Sequence, residues 1–339
     1  MRMPPLHRPF FSHNREWELI WLWICWLVII VFALILFFAW PQTRSLTLIA
    51  YLHQWGKSIP VEYFFRVLTF LGDDEFFIIF LSILFWCVNK NLGFQMMVLL
   101  LVTGVCGGII KELTFLERPD LAGVIQPLNA AFPSGHTLAA VTFWGYLAVR
   151  IKKTWFWIAA FLLAFGIGLS RLVLGYHFLG DVLGGVALGL PLLLLFVWLS
   201  VYFLERGRLD TCPGPLLLIL SVAVPVLLAA VLPGVSSPKL LGCLAGVSAG
   251  YILEKEKVRS VTAAPLLLQF TKVLIGLALP YFLVIGLGRI FPHSISNFAF
   301  TAQTAGLAGY FLVGIWGTLL APVIFVALKL APREFSNLN

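Results

Sequence analysis

The chain has 339 residues, of which 60% are hydrophobic and 11% are charged, and its mean hydropathy is +0.98. Because ordinary soluble domains carry about 25% charged residues, this composition excludes a soluble globule. The formal net charge of +8 would suit nucleic acid binding, but the basic residues are scattered over short loops, as the positive-inside distribution of a membrane protein requires. We therefore expect membrane lipids, and no nucleic acid, as partners.

The predicted elements begin with a polar tail at residues 1–18 and a first membrane span at about Leu19–Trp40. This apolar run is longer than the core of a signal peptide and no small-x-small cleavage site follows it, so we expect a retained span. Short interfacial helices are predicted around Tyr51 and Tyr63 in the connection that follows. Five more spans are then predicted near residues 76–88, 92–110, 137–149, 155–169 and 181–204.

A second set of four spans is predicted near residues 216–232, 240–253, 270–287 and 306–330. In one of them Gly242, Gly246 and Gly250 recur every four residues, which indicates close packing against a neighbouring helix. The sequence thus predicts an all-α, polytopic membrane protein with three parts. These are a cytoplasmic tail at residues 1–18, a six-helix core at 19–204 and a four-span C-terminal extension at 205–339.

The orientation of these ten spans is predicted by the distribution of positive charge. With a cytoplasmic N-terminus, fifteen of the 23 lysines and arginines lie on the cytoplasmic side. This bias predicts that both termini are cytoplasmic. It also places three polar motifs of the core, described next, on the outer face of the membrane.

The first motif contains Lys111 and Arg118, which are seven residues apart and would lie about two turns apart on a continuous helix. Pro119 disfavours helix at Arg118, so we expect this arginine to begin a loop that folds back. A pair of cations at the end of a span is also common as an interfacial anchor. The pair alone therefore leaves both interpretations open.

The second motif, Pro133-Ser134-Gly135-His136, directly precedes the fourth span. Ser134 can cap the helix, and Gly135 lets backbone N–H groups approach an anion at the positive end of the helix. An ordinary capped helix start explains the tetrapeptide equally well.

The third motif joins Ser170 and Arg171 to His177 and Asp181. The histidine and the aspartate are four residues apart, so one helical turn would let the carboxylate accept from one imidazole nitrogen and leave the other free to attack. This is the division of roles between orienting group and nucleophile in catalytic triads. A plain surface pair is the alternative, although such groups beside a bilayer are costly unless they are partnered.

The three motifs occur in the order Lys-x6-Arg-Pro, Pro-Ser-Gly-His and Ser-Arg-x5-His-x3-Asp, each at a span boundary. Over residues 45–204 the chain resembles the type 2 phosphatidic acid phosphatases, a superfamily that includes lipid phosphate phosphatases, glucose-6-phosphatase and the vanadium haloperoxidases. The resemblance implies that His177 is a nucleophile that forms a phosphohistidine, oriented by Asp181, and that His136 protonates the leaving oxygen. It also implies that the phosphate oxygens are held by Lys111, Arg118, Ser134, Gly135 and Arg171.

The function implied by this resemblance is hydrolysis of a lipid phosphate or diphosphate. The distribution of lysine and arginine predicts that this reaction takes place at the outer face, and we expect the membrane to be the plasma membrane of a bacterium. Three fixed cations can compensate the charge of the transferring phosphoryl group, a task that other enzymes give to Mg²⁺. The five cysteines form no CxxC pair, and no cluster of His, Asp or Glu has metal-ligand spacing. We therefore expect neither a metal nor another cofactor, and the oligomeric state stays open.

Two other functions compete with this interpretation. A lipid phosphotransferase would move the phosphoryl group to a second lipid, and a lipid transporter or scaffold with a vestigial site would account for the four extra spans. A haloperoxidase fits poorly because those members of the superfamily are soluble. Undecaprenyl diphosphate, phosphatidylglycerol phosphate, phosphatidate and sphingoid phosphates are all candidate substrates, and the sequence does not choose among them.

Overall fold

The computed structural model describes residues 42–127, 129–205, 207–232, 237–290 and 299–334, together with residue 27. The predicted tail at residues 1–18 lies outside these residues, as does the first span at 19–40 apart from that single position. Over the described ranges the chain is helical, and β structure there is limited to one bridge between Ser260 and Arg333. The all-α class is therefore confirmed.

Twelve α-helices follow one another over the described residues, several of them ending in a wider π-helical turn. They are α1 (Leu46–Gly56), α2 (Ile59–Phe70), α3 (Asp74–Ile83), α4 (Lys90–Thr114), α5 (Gly135–Ile151), α6 (Thr154–Val173), α7 (Leu179–Leu199), α8 (Gly214–Val231), α9 (Ser237–Leu253), α10 (Leu266–Ile290), α11 (Ala299–Ile315) and α12 (Ala321–Ala327). The π-helical turns are Leu84–Val88, Ser200–Glu205, Glu254–Val258 and Trp316–Leu320.

Among the described residues, five helical stretches are long and apolar enough to cross a membrane. They are Lys90–Thr114, Thr154–Val173, Leu179–Phe203, Gly214–Val231 and Gly306–Ala327. Each coincides with a predicted span. Helix α5, predicted as the fourth span, has 17 residues. The chain is thus a polytopic membrane protein, and the total of ten spans stays a prediction.

The chain divides into two compact units, each built from two separate segments. One unit comprises Met1–Phe65 and Glu117–Pro213, and the other comprises Arg66–Leu116 and Gly214–Asn339. The second unit therefore combines the C-terminal extension with a segment that the sequence analysis assigned to the core. Helix α4 belongs to that segment, while α5, α6 and α7 belong to the first unit.

Within the first unit, α5 packs against both α6 and α7, and α1 packs against α6. The α5–α7 contact is close because Gly185 of α7 has no side chain: an added Cβ would lie 2.8 Å from Cβ of Thr137 and 2.9 Å from the carbonyl oxygen of Ser134. Ile49, Leu172, Phe178 and Val182 form a buried apolar cluster where α1, α6 and α7 meet. These contacts bring the second and third motifs together.

Within the second unit, α9 packs against α4, α8 and α11. A methyl group added at Gly242, Gly246 or Gly250 of α9 would collide with atoms of α11 or the π-helical turn after it. The interpretation of these glycines as a helix-packing surface is therefore confirmed.

A buried charge pair also joins the two segments of the second unit. Glu254, which is fully buried, accepts from the ammonium group of Lys90 and from the backbone N–H and hydroxyl of Ser260. Lys90 is the first residue of α4 and Glu254 directly follows α9. The pair therefore fixes the start of α4 to the extension.

Candidate active site

The third motif folds into a tight turn between α6 and α7. The chain leaves α6 through Gly175, whose φ of 78° is in the left-handed region that favours glycine. The backbone N–H groups of Tyr176 and His177 then donate back to the carbonyl oxygen of Arg171, at 3.0 and 3.3 Å. This turn places His177 directly before α7 with only 2% of its surface exposed.

His177 and Asp181 are brought together by the capping of α7. The carboxylate Oδ2 of Asp181 accepts from the backbone N–H of Phe178 at 2.8 Å and lies 3.5 Å from Nδ1 of His177. The predicted contact between the two side chains is confirmed, but its expected origin in one helical turn is wrong. His177 precedes the helix, and Asp181 reaches back because Phe178 occupies the N-cap position.

Arg118 lies on the other side of the imidazole, in the loop that follows α4. Its Nη1 lies 3.1 Å from Nε2 of His177 and donates to the carbonyl oxygen of Tyr176 at 2.9 Å. Its Nε and Nη2 donate to the carbonyl and side-chain oxygens of Asn129 at 3.1 and 2.7 Å. The prediction that Arg118 belongs to a loop that folds back is therefore confirmed.

These two contacts determine which nitrogen of His177 carries the proton. A guanidinium group can only donate hydrogen bonds, so Nε2 must present its lone pair to Arg118. The proton then resides on Nδ1, which faces the carboxylate of Asp181. Nε2 is left as the nitrogen that can attack an electrophile.

Two opposing effects act on the pKa of Arg118. Burial lowers the pKa of the Arg118 guanidinium from its ordinary value, while the nearby carboxylate of Asp181 raises it. An arginine remains a cation under such conditions. The loop therefore presents a permanent positive charge beside Nε2 of His177.

Arg44 is a part of this cluster that the sequence analysis did not identify. Its Nη1 donates to Oδ1 of Asp181 at 2.8 Å, and its Nη2 donates to the carbonyl oxygen of Glu117. Its guanidinium carbon lies 4.4 Å from the centre of the Phe178 ring. An arginine between a predicted span and a predicted interfacial helix is a common membrane anchor, so the sequence carries no signal that would have distinguished this one.

The second motif contacts Asp181 through a hydrogen bond between the backbones of the two segments. The N–H of Ser134 donates to the carbonyl oxygen of Asp181 at 2.9 Å. Ser134 occupies the N-cap position of α5 as predicted, but the expected bond from its side chain to the helix is wrong. Its hydroxyl oxygen instead accepts from the hydroxyl of Thr137 at 3.0 Å. Gly135 and His136 form the first turn of α5.

The other two predicted phosphate ligands occupy different positions. Arg171 is buried at the end of α6, with its guanidinium carbon 4.4 Å from the centre of the Tyr176 ring. Lys111 lies in the last turn of α4, which belongs to the second compact unit. The structure thus joins Arg118, His177, Asp181 and Ser134 by contacts, and the predicted roles of Lys111, Gly135, His136 and Arg171 stay predictions.

No three His, Cys, Asp or Glu side chains within the described ranges lie close enough together to hold a metal ion. The cluster consists instead of a histidine flanked by a carboxylate and a guanidinium, with a helix N-terminus beside it. Such a set can attack a phosphorus atom and compensate negative charge on its oxygens.

Several known proteins that are similar to this chain are named as phosphatases of lipid phosphates. A probable sphingosine-1-phosphate phosphatase of Dictyostelium discoideum is 25% identical over 294 residues, covering 71% of this chain and 69% of that protein. Phosphatidylglycerophosphatase B of Bacillus subtilis is 35% identical over 96 residues, covering 26% of this chain and 47% of that protein. Lipid phosphate phosphatase delta of Arabidopsis thaliana is 30% identical over 162 residues, covering 42% of this chain and 38% of that protein.

A crystal structure of a transmembrane PAP2-type phosphatidylglycerolphosphate phosphatase from Bacillus subtilis aligns with 53% of this chain and 95% of that chain. The two are 23% identical, with a TM-score of 0.46. At the level of families, residues 92–205 match the PAP2 superfamily and residues 238–333 match the transmembrane extension of PAP2 superfamily phosphatases. The chain therefore carries a PAP2 superfamily domain at residues 92–205 and the transmembrane extension of PAP2 superfamily phosphatases at residues 238–333.

Proposed function

We propose that the protein is a membrane phosphatase that hydrolyses a lipid phosphate or diphosphate through a phosphohistidine intermediate, at the outer face of the membrane and without a metal ion. The names of the similar proteins support a lipid phosphate as the substrate. The mechanism is supported by the geometry around His177.

The observation that carries this proposal is the different environment of the two imidazole nitrogens. Nδ1 faces the buried carboxylate of Asp181 at 3.5 Å, and Nε2 lies 3.1 Å from a guanidinium nitrogen of Arg118. A phosphoryl group that takes the place beside Nε2 would meet both the nucleophile and a cation. The carboxylate would stabilise the positive charge that develops on the imidazole as Nε2 forms its bond.

The reaction has two steps. In the first, Nε2 of His177 forms a bond to phosphorus while the bond between phosphorus and the lipid oxygen breaks, and that oxygen takes a proton from His136. In the second, a water molecule transfers a proton to His136 and bonds to phosphorus while the phosphorus–nitrogen bond breaks. The products are the lipid alcohol, or the lipid monophosphate from a diphosphate, and inorganic phosphate.

Cationic groups replace a metal in this scheme. The transferring phosphoryl group carries charge on its equatorial oxygens, which fixed donors stabilise without reorganisation. Arg118 lies at the nucleophile, and Arg171 and Lys111 are the two further cations of the motifs. The backbone N–H groups at the start of α5 add the positive end of a helix.

A position at the membrane interface is supported by the two short helices next to the site. Helices α1 and α2 expose aromatic side chains, including Tyr51, Trp55, Tyr63 and Phe64. Aromatic residues of this kind prefer the boundary between headgroups and hydrocarbon. A phosphate carried on a lipid headgroup would be concentrated at that level, and the distribution of lysine and arginine favours the outer face.

The test is phosphate release by the purified protein in detergent, with a panel of lipid monophosphates and diphosphates and EDTA present. We expect release by the parent protein, none by His177→Ala, and parental release by His7→Ala, a histidine that matches none of the motifs. A brief incubation with lipid labelled in its phosphorus should leave an alkali-stable, acid-labile label on the parent but not on His177→Ala.

Two results would contradict the proposal. Phosphate release at the parental rate by a well-folded His177→Ala variant would show that His177 is not the nucleophile. Transfer of the label to an added lipid alcohol, with little free phosphate formed, would identify a phosphotransferase instead.

A further inference from the structure

The position of Arg44, next to Asp181, is fixed by the start of α1. Arg44 precedes Ser45, which caps α1 by accepting from the backbone N–H of Leu48. Because α1 packs against α6, the position of Arg44 is fixed relative to the turn that carries His177. Only 16% of its side chain is exposed.

The bond from Arg44 determines how the carboxylate of Asp181 is oriented. Asp181 is fully buried, and a buried carboxylate is costly unless a partner compensates its charge. Its Oδ1 accepts from Arg44 at 2.8 Å, while its Oδ2 accepts from the N–H of Phe178 and faces His177. With Oδ1 bound to the arginine, Oδ2 is the oxygen presented to the imidazole.

Arg44 also reaches the loop that carries the cation on the other side of the imidazole. Its Nη2 donates to the carbonyl oxygen of Glu117, the residue directly before Arg118. The ring of Phe178 covers the guanidinium at 4.4 Å, which adds a cation–π contact. The side chain of Arg44 thus connects Asp181, which orients His177, with the loop of Arg118, which places a positive charge at Nε2 of His177.

We propose that Arg44 is a positioning residue for the phosphoryl transfer: it holds the carboxylate of Asp181 with Oδ2 towards His177 and fixes the loop of Arg118 around the same imidazole. This inference rests on the proposed function. Arg44 bonds to the carboxylate oxygen that His177 does not use, so it acts through Asp181 and not on the phosphate. It should therefore affect the rate of the chemical step more than the binding of substrate.

The test is a double-mutant cycle on turnover, with Arg44→Gln, Asp181→Asn and the combination of both. A misplaced catalytic group costs about 100-fold in rate, so we expect Arg44→Gln to lower kcat by about that factor. Its KM should stay within about twofold of the parent value, because an interaction that acts only in the transition state is lost. In the Asp181→Asn background, Arg44→Gln should cost less than about twofold, since residues that act as one unit are not additive.

Two further variants separate positioning from a general effect of charge. Arg44→Lys keeps the positive charge but loses the fork that spans Asp181 and Glu117, so we expect its kcat between those of the parent and of Arg44→Gln. Arg66→Gln, which removes an exposed arginine of α2, should retain parental kcat. Equal losses in the parent and Asp181→Asn backgrounds would overturn the proposal, as would a raised KM with unchanged kcat.

Thermal unfolding of the same variants keeps the test independent of activity. We expect the decreases in Tm from Arg44→Gln and Asp181→Asn to be clearly less than additive, because each variant removes the same buried ion pair. Additive decreases would overturn the coupling. If the parent protein releases no phosphate from any lipid, the proposed function is contradicted. The additivity of the Tm changes would still show whether Arg44 and Asp181 are coupled.

Discussion

The backbone N–H of Ser134 donates a hydrogen bond to the carbonyl oxygen of Asp181 at 2.9 Å. This bond joins the start of α5 to the first turn of α7, and so it joins two motifs through residues that are more than forty positions apart in the chain. It forms close to Gly185 of α7, where an added Cβ would lie 2.9 Å from the carbonyl oxygen of Ser134. The position of the Pro-Ser-Gly-His loop thus depends on a glycine that carries no reactive group.

Replacing Gly185 with alanine should disturb this loop. The new Cβ would lie 2.8 Å from Cβ of Thr137 and 2.9 Å from the carbonyl oxygen of Ser134, so α5 and α7 must separate. Overpacking of this kind costs about 1–3 kcal/mol of stability. We expect Gly185→Ala to lower both Tm and phosphate release.

The matched control is Gly108→Ala, a helical glycine of α4 at which an added Cβ would meet no atom within 4 Å. Because alanine is the better helix former by up to about 1 kcal/mol, its Tm should be unchanged or slightly raised. Equal Tm values for both variants would mean that the close approach at Gly185 has no energetic importance.

Much of this arrangement could be predicted because the motifs are local in sequence. The order and spacing of the polar residues indicated His177 and Asp181, and Pro119 indicated the loop at Arg118. The origin of the contact between His177 and Asp181 could not be predicted, because spacing alone does not show where α7 begins. The contribution of Arg44 depends on a contact over 137 residues of sequence, which no local pattern encodes.

The C-terminal extension should stabilise α4 through the buried charge pair between Glu254 and Lys90. Glu254 is fully buried and accepts from Lys90, whose side chain is only 17% exposed. Removing one partner of a buried pair leaves an uncompensated charge and costs about 3–5 kcal/mol. We expect Glu254→Gln to lower Tm strongly, measured by thermal unfolding in detergent. Glu256→Gln, an exposed neighbour, should leave Tm nearly unchanged, and a similar decrease for both variants would contradict this account.

Metal removal should leave the activity intact. If Arg118 and the other cations compensate the charge of the phosphoryl group, phosphate release should proceed at the parental rate after dialysis against EDTA. Vanadate should inhibit, because it can adopt the five-coordinate geometry of the transition state and such analogues bind tightly. A strict requirement for Mg²⁺ that persists when the substrate itself binds no Mg²⁺ would contradict the expectation.

The orientation in the membrane can be measured by labelling single cysteines in intact cells. Ala122 is an exposed residue of the loop between α4 and α5, and Lys153 is an exposed residue of the turn between α5 and α6. In a variant without the five native cysteines, Ala122→Cys should react with an impermeant thiol reagent and Lys153→Cys should react only after the cells are opened. The reverse pattern would place the site on the cytoplasmic face.

The role of His136 can be tested by measuring how the loss of activity in His136→Ala depends on the leaving group of the substrate. If His136 is the acid, it matters most when an alkoxide departs, because that oxygen is strongly basic and needs a proton as the bond breaks. A diphosphate expels a lipid monophosphate and an aryl phosphate expels a phenolate, and both need less help.

We therefore expect His136→Ala to retain a larger fraction of parental kcat/KM on a diphosphate or an aryl phosphate than on an alkyl monophosphate. His177→Ala should be equally inactive on all three, because the nucleophile is required whatever departs. The measurement is the ratio of kcat/KM between variant and parent across leaving groups of different pKa. A ratio that does not change with the leaving group would mean that His136 only contacts the phosphate, and the proton would then have to come from another group.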